Sequence, residues 1–212
     1  MNWQSEIDKI SKYLAGLSIR TGDGKDVDMD QGFEYWVDQA RKLKAERKVC
    51  YLIGNGASAS IASHMAADLA KNASIHTQVF SDLALITAMA NDIGYEDVYS
   101  GPLQSRGNSG DMLVAISSSG ESPNILNSVR TALALDMVVV TLSAMDEANP
   151  LRSSGSLNLY VPAKDYGHAE TCHAAILHFW MDLVSRAGKG QGEPAGSRPA
   201  RRIKRAGKPE NA

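Results

Sequence analysis

The fold is decided by two stretches of similar design, VCYLIGNGASAS at residues 49–60 and MLVAISSSGESPN at residues 112–124. In each stretch an apolar run of strand length leads into a turn of glycine, asparagine and serine, and a helix-like segment follows. A turn that opens a helix presents unpaired backbone N–H groups and the positive end of the helix dipole, which favour an anion. Serine hydroxyls can donate further hydrogen bonds to phosphate oxygens. We therefore expect the two turns to bind a phosphorylated small molecule.

Apolar runs and amphipathic stretches alternate along the rest of the chain. The pattern predicts strands over 49–53, 77–80, 112–116, 137–142 and 157–161. It predicts helices over 2–17, 31–47, 58–72, 82–92, 95–106, 122–135 and 168–187, with a loop over 21–26. This alternation indicates an α/β fold with a doubly wound, mainly parallel five-stranded sheet flanked by helices and preceded by N-terminal helices. Both serine turns would then lie at strand carboxyl ends, where such sheets bind ligands.

Three regions follow from this pattern. Residues 1–47 are expected to be oligomerisation helices, and 48–187 a domain that binds the phosphorylated small molecule. Trp3, Phe33 and Trp36 give the N-terminal helices more apolar surface than a small sheet domain should expose. Residues 188–212 are rich in glycine, proline and alanine and carry a charge balance of +5, against −2 for the whole chain. We expect this basic tail to be disordered and to contact nucleic acid only weakly.

Composition indicates a globular protein of the cytoplasm. Hydrophobic residues make up 43% and charged residues 22% of the 212 residues, which are ordinary proportions. No apolar run approaches the roughly 20 residues that cross a bilayer, and the first residues lack signal-peptide character. The two cysteines, Cys50 and Cys172, are expected to be buried free thiols. We expect no contact with a membrane.

Acid–base and metal-ligating side chains concentrate in two predicted helices. His64 and Asp68 are four residues apart and share one helix face. The last helix offers Glu170, His173 and His178. Imidazole and carboxylate groups are suitable ligands for Zn²⁺. The same groups also suit metal-free aldose–ketose interconversion, in which a base removes a proton beside a carbonyl and an acid handles the oxygen.

The two turns and the motif around the last histidines resemble the sugar isomerase (SIS) domain, and within it the phosphoheptose isomerase family. The resemblance covers about residues 1–187 and implies that residues 48–187 form the SIS sugar-phosphate domain. It implies a homotetramer with active sites between subunits and one zinc ion per subunit. It also implies conversion of sedoheptulose 7-phosphate to D-glycero-D-manno-heptose 7-phosphate, which supplies heptose for lipopolysaccharide and related glycans.

The resemblance also implies roles for individual residues. Asp68 would act as general base and His178 as acid. The substrate would be bound by Asn55, Gly56, Ser58, Asn91, Asp92, Ser117, Ser118, Ser119, Ser122 and Glu170. The metal would be held by His64, Asp68, Glu170 and His178.

Three positions depart from the family pattern. Asp68 stands where the family has a glutamate, Glu170 where it has a glutamine, and Glu121 where it usually has an asparagine. The shorter carboxylate at residue 68 is a handicap for the usual substrate, since a shift of about 1 Å can cost 10²-fold in rate. These changes leave open a different sugar phosphate as the substrate.

Two alternatives of other classes remain. One is a non-catalytic SIS binding protein of the replication-initiator-associating type, which would have no need of His64, Asp68 and His178. The other is a sugar-phosphate-sensing regulator, but the sequence has no recognisable helix-turn-helix domain to bind DNA.

Overall fold

The computed structural model of the chain describes residues 2–187. The predicted basic tail, residues 188–212, lies outside the described residues. Seven α-helices are present in the described part: α1 (Trp3–Ala15), α2 (Met29–Glu46), α3 (Ala57–Asp68), α4 (Leu83–Asp92), α5 (Ser100–Arg106), α6 (Pro123–Ala134) and α7 (Tyr166–Ala187). Seven strands accompany them: β1 (Ser18–Thr21), β2 (Asp26–Val27), β3 (Val49–Gly54), β4 (His76–Gln78), β5 (Met112–Ser117), β6 (Val138–Ser143) and β7 (Leu157–Tyr160).

All strands form one sheet in the order β2-β1-β7-β6-β5-β3-β4. The five predicted strands, β3 to β7, are mutually parallel. The chain passes from β3 to β4 at one edge and then to β5 on the other side of β3. The topological switch point therefore lies between the carboxyl ends of β3 and β5, where a ligand is expected to bind. The two serine turns follow these two strands.

The prediction of a five-stranded sheet and of a loop over 21–26 was incomplete. β1 and β2 form an antiparallel hairpin, and β1 pairs with the exposed edge of β7. β1 has a single buried residue, Ile19, so its sequence has little strand character. Ile19 packs closely on α2, where a Cβ added to Gly32 would lie 2.8 Å from it. The hairpin is thus stabilised by contacts distant in sequence, which periodicity does not reveal.

Two helix predictions were wrong in detail. The predicted helix over 95–106 is a 3₁₀ turn at Tyr95–Asp97 followed by α5. Pro102 has no backbone N–H and tolerates only the first turn of a helix, so α5 begins close before it. The predicted helix over 58–72 ends as α-helix at Asp68 and continues as a π-helical turn, Leu69–Ala73.

The core has two layers, one on each face of the sheet. α2, α3 and α7 supply buried side chains on one face, and α5, α6 and the two residues before α5, Val98–Tyr99, supply them on the other. Trp36 on α2 stacks on Trp180 of α7 at a ring-centroid distance of 4.0 Å. The expectation that Phe33 and Trp36 would be exposed was wrong, because both side chains are buried in this layer. Trp3 is 77% exposed, as expected.

The described helices are all too short or too polar to span a bilayer. Cys50 and Cys172 are buried free thiols, as predicted. Burial raises the pKa of Cys50 to about 12 and that of Cys172 to about 11, so both are protonated near neutral pH.

Candidate functional site

The second serine turn joins the end of β5 to the start of α6. Gly120 has φ of 68°, a left-handed conformation that favours glycine, and its N–H donates to Ser117 Oγ at 3.2 Å. Ser117 Oγ lies 3.4 Å from Ser122 Oγ across the turn. Ser122 is the N-cap of α6, and among the described residues its side chain makes no capping hydrogen bond. The hydroxyls and the helix N-terminus therefore face the same small volume, as an anion site requires.

The first turn lies directly beside the second. Asn55 Nδ2 donates to Asn124 Oδ1 at 2.9 Å, and Asn124 Nδ2 donates to Asn55 Oδ1 at 2.8 Å. Gly56, with φ of 56°, is the N-cap of α3. The Tyr99 hydroxyl donates to the carbonyl oxygen of Gly54 at 2.6 Å. The structure thus brings the two predicted turns together and adds Asn124 and Tyr99, which sequence analysis did not identify as site residues.

The remaining predicted contact residues belong to the second turn, to the start of α3 or to the end of α4. Ser118 and Ser58 are buried, and Ser119 is half-buried and accepts from the N–H of Glu121 at 3.3 Å. Asn91 and Asp92 lie exposed at the end of α4, where Asn91 Nδ2 donates to Asp92 Oδ1 at 2.8 Å.

A small cavity of about 110 Å³ opens beside the first turn. Its lining is mostly apolar, including Leu52, Val79 and Phe80, with Ser63 and Ser81 as polar members. A sugar phosphate has hydroxyl groups on almost every carbon, so an apolar cavity of this size does not suit it. A polar substrate would instead bind against the open surface of the two turns.

His64, Asp68 and His178 form the second part of the site. One ligand atom from each of the three lies within 4.8 Å of the others. His64 Nε2 is 3.6 Å from Asp68 Oδ2, and the rings of His64 and His178 meet edge to face at 5.2 Å. Asp68 Oδ1 accepts from Lys71 Nζ at 3.1 Å, a contact that sequence analysis did not anticipate. Both histidines are exposed and Asp68 is half-buried, so the cluster is open to solvent.

Two imidazoles and a carboxylate are a donor set suited to a divalent ion such as Zn²⁺. Glu170, the fourth predicted ligand, is outside this group. It lies eight residues before His178 on α7, which corresponds to about 12 Å along the helix axis. Its role as a ligand remains a prediction.

The other two histidines of α7 have different surroundings. His173 is fully buried and donates through Nε2 to the carbonyl oxygen of Ser143 at 3.2 Å. Burial lowers the pKa of His173 to about 4, so the ring is neutral near pH 7 and serves as a packed hydrogen-bond donor. His168 Nδ1 is 2.5 Å from Asp165 Oδ2, and its Nε2 is 2.9 Å from Glu6 Oε2. His168 thus links α1 to the first turn of α7.

This link predicts a pH-dependent stability. Hydrogen bonds that His168 donates to the carboxylate of Asp165, and then to that of Glu6, raise the pKa of His168 above its ordinary value. Its stabilising contribution is full below the unfolded-state pKa of about 6.5 and is lost as pH rises through the raised value. We expect His168→Asn to lower the thermal unfolding midpoint more at pH 6 than at pH 9, as measured by circular dichroism. An equal loss at both pH values would contradict a charged His168.

Comparisons with known proteins agree with this arrangement. The SIS domain family matches residues 38–144. A phosphoheptose isomerase from Shewanella frigidimarina is 34% identical over 150 residues, which cover 67% of this chain and 76% of the relative. A solved phosphoheptose isomerase from Neisseria gonorrhoeae is 26% identical, with a TM-score of 0.67 over 73% of this chain and 86% of the other.

A second solved phosphoheptose isomerase, from Francisella tularensis, has a TM-score of 0.74 and covers 88% of this chain and 100% of its own. Its identity is 22%, so this likeness concerns the fold. The sheet topology, the family match and the 34% identical relative agree. The chain therefore belongs to the SIS domain family, together with the phosphoheptose isomerases that it resembles.

Proposed function

We propose that the protein is an aldose–ketose isomerase that converts sedoheptulose 7-phosphate to D-glycero-D-manno-heptose 7-phosphate. The observation that carries the proposal is the convergence of His64, Asp68 and His178 in a chain whose relatives are phosphoheptose isomerases. A protein that acted by contact alone would not need this cluster, so the non-catalytic alternative is not favoured. Incubating the purified protein with a panel of ketose phosphates, with and without zinc, tests both activity and substrate.

In this proposal the second serine turn (residues 117–122, hereafter the serine turn) binds the phosphate. Ser117, Ser118, Ser119 and Ser122 supply hydroxyl or backbone donors, and the N-terminus of α6 supplies positive potential. The sugar hydroxyls are assigned to residues with amide, carboxylate or small polar groups: Asn55, Gly56, Ser58, Asn91, Asp92 and Glu170. Phosphate binding at one end fixes the sugar so that its reacting carbons can meet the acid–base cluster.

Proton transfer is assigned to Asp68 and His178. Asp68 removes the proton from C1, beside the C2 carbonyl of the ketose, and returns it to C2 of the enediol. His178 moves the proton between the two oxygens, so that C2 gains a hydroxyl while C1 becomes the carbonyl. Lys71 holds Asp68 Oδ1, and this leaves Oδ2 on the side of the histidines.

His64, Asp68 and His178 would also hold a zinc ion, one per subunit, with Glu170 as a fourth ligand if its side chain reaches the cluster. When bound, zinc would polarise the substrate oxygens and lower the barrier to enediol formation. The negative charge of Glu170 in place of a neutral amide would favour a divalent cation. Zinc binding to the purified protein can be measured by calorimetry.

The protein is proposed to be a cytoplasmic homotetramer with active sites between subunits. Asp68 lies eleven residues beyond the start of α3, about 16 Å along its axis. The serine turn lies beside the start of α3, since Asn55 and Asn124 are hydrogen-bonded to each other. The axial distance exceeds the length of an extended seven-carbon sugar phosphate, so the two turns and Asp68 of one chain are poorly placed to share one substrate. The exposure of Trp3, His64 and His178 is consistent with cover by a second subunit.

Light scattering tests this assembly. We expect a mass of four chains at micromolar concentration, since an open acid–base cluster and an exposed Trp3 on α1 both need cover. A monomer under these conditions would remove the inter-subunit site from the proposal.

The phosphate assignment predicts a selective loss of affinity. Replacing Ser119 and Ser122 by alanine removes two donors, each worth about 1.5–3 kcal/mol against a charged group. We expect the apparent KM for the sugar phosphate to rise by at least tenfold while the fold is retained. Calorimetry should show the same weakening for binding alone, and unchanged affinity there would reject this placement of the phosphate.

A further inference from the structure

A buried asparagine, Asn149, contacts the serine turn and holds the chain segment that is bonded to it. Asn149 is 1% exposed and makes four hydrogen bonds through its side chain. Its Nδ2 donates to Ser143 Oγ at 3.2 Å, to the Ala144 carbonyl at 3.3 Å and to the Asp146 carbonyl at 2.6 Å. Its Oδ1 accepts from the N–H of Arg152 at 3.0 Å. Asn149 therefore ties together four residues of the segment from the last residue of β6, Ser143, to Arg152.

This same segment holds the backbone of the serine turn. The N–H of Ala144 donates to the carbonyl oxygen of Ser118 at 3.0 Å, and the N–H of Leu151 donates to that of Gly120 at 3.1 Å. Asn149 also packs directly on Gly120, because a Cβ added there would overlap the asparagine side chain. Two carbonyl groups of the turn and its left-handed glycine thus depend on one side chain.

We propose that Asn149 is a positioning residue for phosphate recognition, acting through the backbone of Ser118 and Gly120. This role of Asn149 rests on the proposed function in one respect, the binding of phosphate by the serine turn. Because both carbonyl groups are bonded to the segment that Asn149 holds, the turn can present its serine hydroxyls and the N-terminus of α6 to the ligand, and not its carbonyl oxygens. A substrate misplaced by about 1 Å can react 10²-fold more slowly, so the shape of the turn that holds the phosphate matters.

The amide of Asn149 is suited to this role for a chemical reason. An asparagine offers two N–H donors and one carbonyl acceptor, and all of them are used here. A serine would keep an acceptor for the N–H of Arg152, as an N-cap residue, but would lose the donors to residues 143–146. Asn149→Ser therefore removes the support of the turn while it keeps the cap of the short helix at Pro150–Ser153.

A second buried asparagine provides a matched control. Asn158 on β7 is also 1% exposed. It accepts from Thr141 Oγ1 and from the N–H of Gly155, each at 2.8 Å, and donates to the Gly155 carbonyl at 3.1 Å. None of these bonds involves residues 117–122. Asn158→Ser thus removes a comparable set of buried hydrogen bonds, none of which is made to the serine turn.

Calorimetric titration with inorganic phosphate and with sedoheptulose 7-phosphate separates the two effects. We expect Asn149→Ser to weaken both ligands on the order of tenfold, and to raise KM with kcat within about threefold of the wild type. Asn158→Ser should unfold at a lower temperature with both dissociation constants unchanged. Should Asn149→Ser fail to fold, Ser143→Ala deletes one acceptor of Asn149 and is expected to weaken phosphate about threefold.

Three results would overturn the inference. Phosphate affinity in Asn149→Ser equal to that of the wild type would show that the turn keeps its shape without the amide. Equal weakening in Asn158→Ser would show that general destabilisation is responsible. A wild-type protein that binds neither ligand would reject the phosphate site itself, and with it this inference, so failure of the proposed function is recognised separately.

Discussion

Asp68→Asn is expected to abolish exchange of solvent deuterium into the sugar phosphate, with a loss of about 10²–10⁴-fold in isomerisation rate. An amide cannot accept the carbon-bound proton, and this step precedes every later one. The free energy of unfolding should change by only about 0.5 kcal/mol, because Asp68 is half-buried near the surface and its pairing with Lys71 is a surface ion pair. Mass spectrometry of the recovered substrate measures the exchange.

Asp38 offers a matched control for this variant. It is a helical carboxylate that pairs with a basic residue three positions later, Arg41, at 2.7 Å, as Asp68 pairs with Lys71 at 3.1 Å. Asp38→Asn should leave deuterium exchange at the wild-type rate. If Asp68→Asn kept exchange and instead lowered stability, the cluster of His64, Asp68 and His178 would be a structural network and not an acid–base pair.

Asp68→Glu tests whether the site is suited to a heptose phosphate or to another sugar phosphate. If the shorter carboxylate is a handicap for a heptose, the added methylene should speed the heptose reaction. An inactive glutamate variant that still folds would indicate a site rebuilt around aspartate for another sugar phosphate.

The central strands and both turns could be predicted because their sequences are locally decisive. β3 and β5 are continuous apolar runs, and each ends in small residues that only a turn accommodates well. The hairpin of β1 and β2 could not be predicted in the same way. Its four-residue strand depends on the edge of β7 and on the close approach of Ile19 to Gly32, which are contacts between distant parts of the chain.

The same distinction applies to the site. His64 and Asp68 were candidates because helical spacing places them on one face, and His178 was a candidate through the family resemblance. Their proximity across α3 and α7 is visible only in the structure. Phe33 and Trp36 were misassigned because an amphipathic stripe does not reveal whether the same chain or another one covers it. Asn124 was missed because its partner, Asn55, lies at the other turn. Asn149 was missed because its partners lie between residues 143 and 152, in a segment that no spacing rule connects with the serine turn.

Gly120→Ala is expected to weaken sugar-phosphate binding by on the order of 100-fold. Two costs combine at this position. The backbone has φ of 68°, where a residue with a Cβ costs roughly 1–2 kcal/mol. The new methyl group would also overlap Asn149, which is buried and held by four hydrogen bonds and so cannot move aside without losing them. The turn itself must therefore shift, and its hydroxyls with it.

Gly24→Ala is a control that introduces backbone strain without displacing the serine turn. Gly24 has φ of 81°, but an added Cβ would meet nothing within 4 Å, and the residue lies in the β1–β2 hairpin. In Gly24→Ala only the backbone conformation becomes unfavourable. This variant should therefore be less stable than the wild type, while calorimetry should show wild-type affinity for sugar phosphate. Gly120→Ala should lose both stability and affinity. Wild-type affinity in Gly120→Ala would mean that the phosphate is bound elsewhere than at residues 117–122, because no shift of that turn could leave such a site intact.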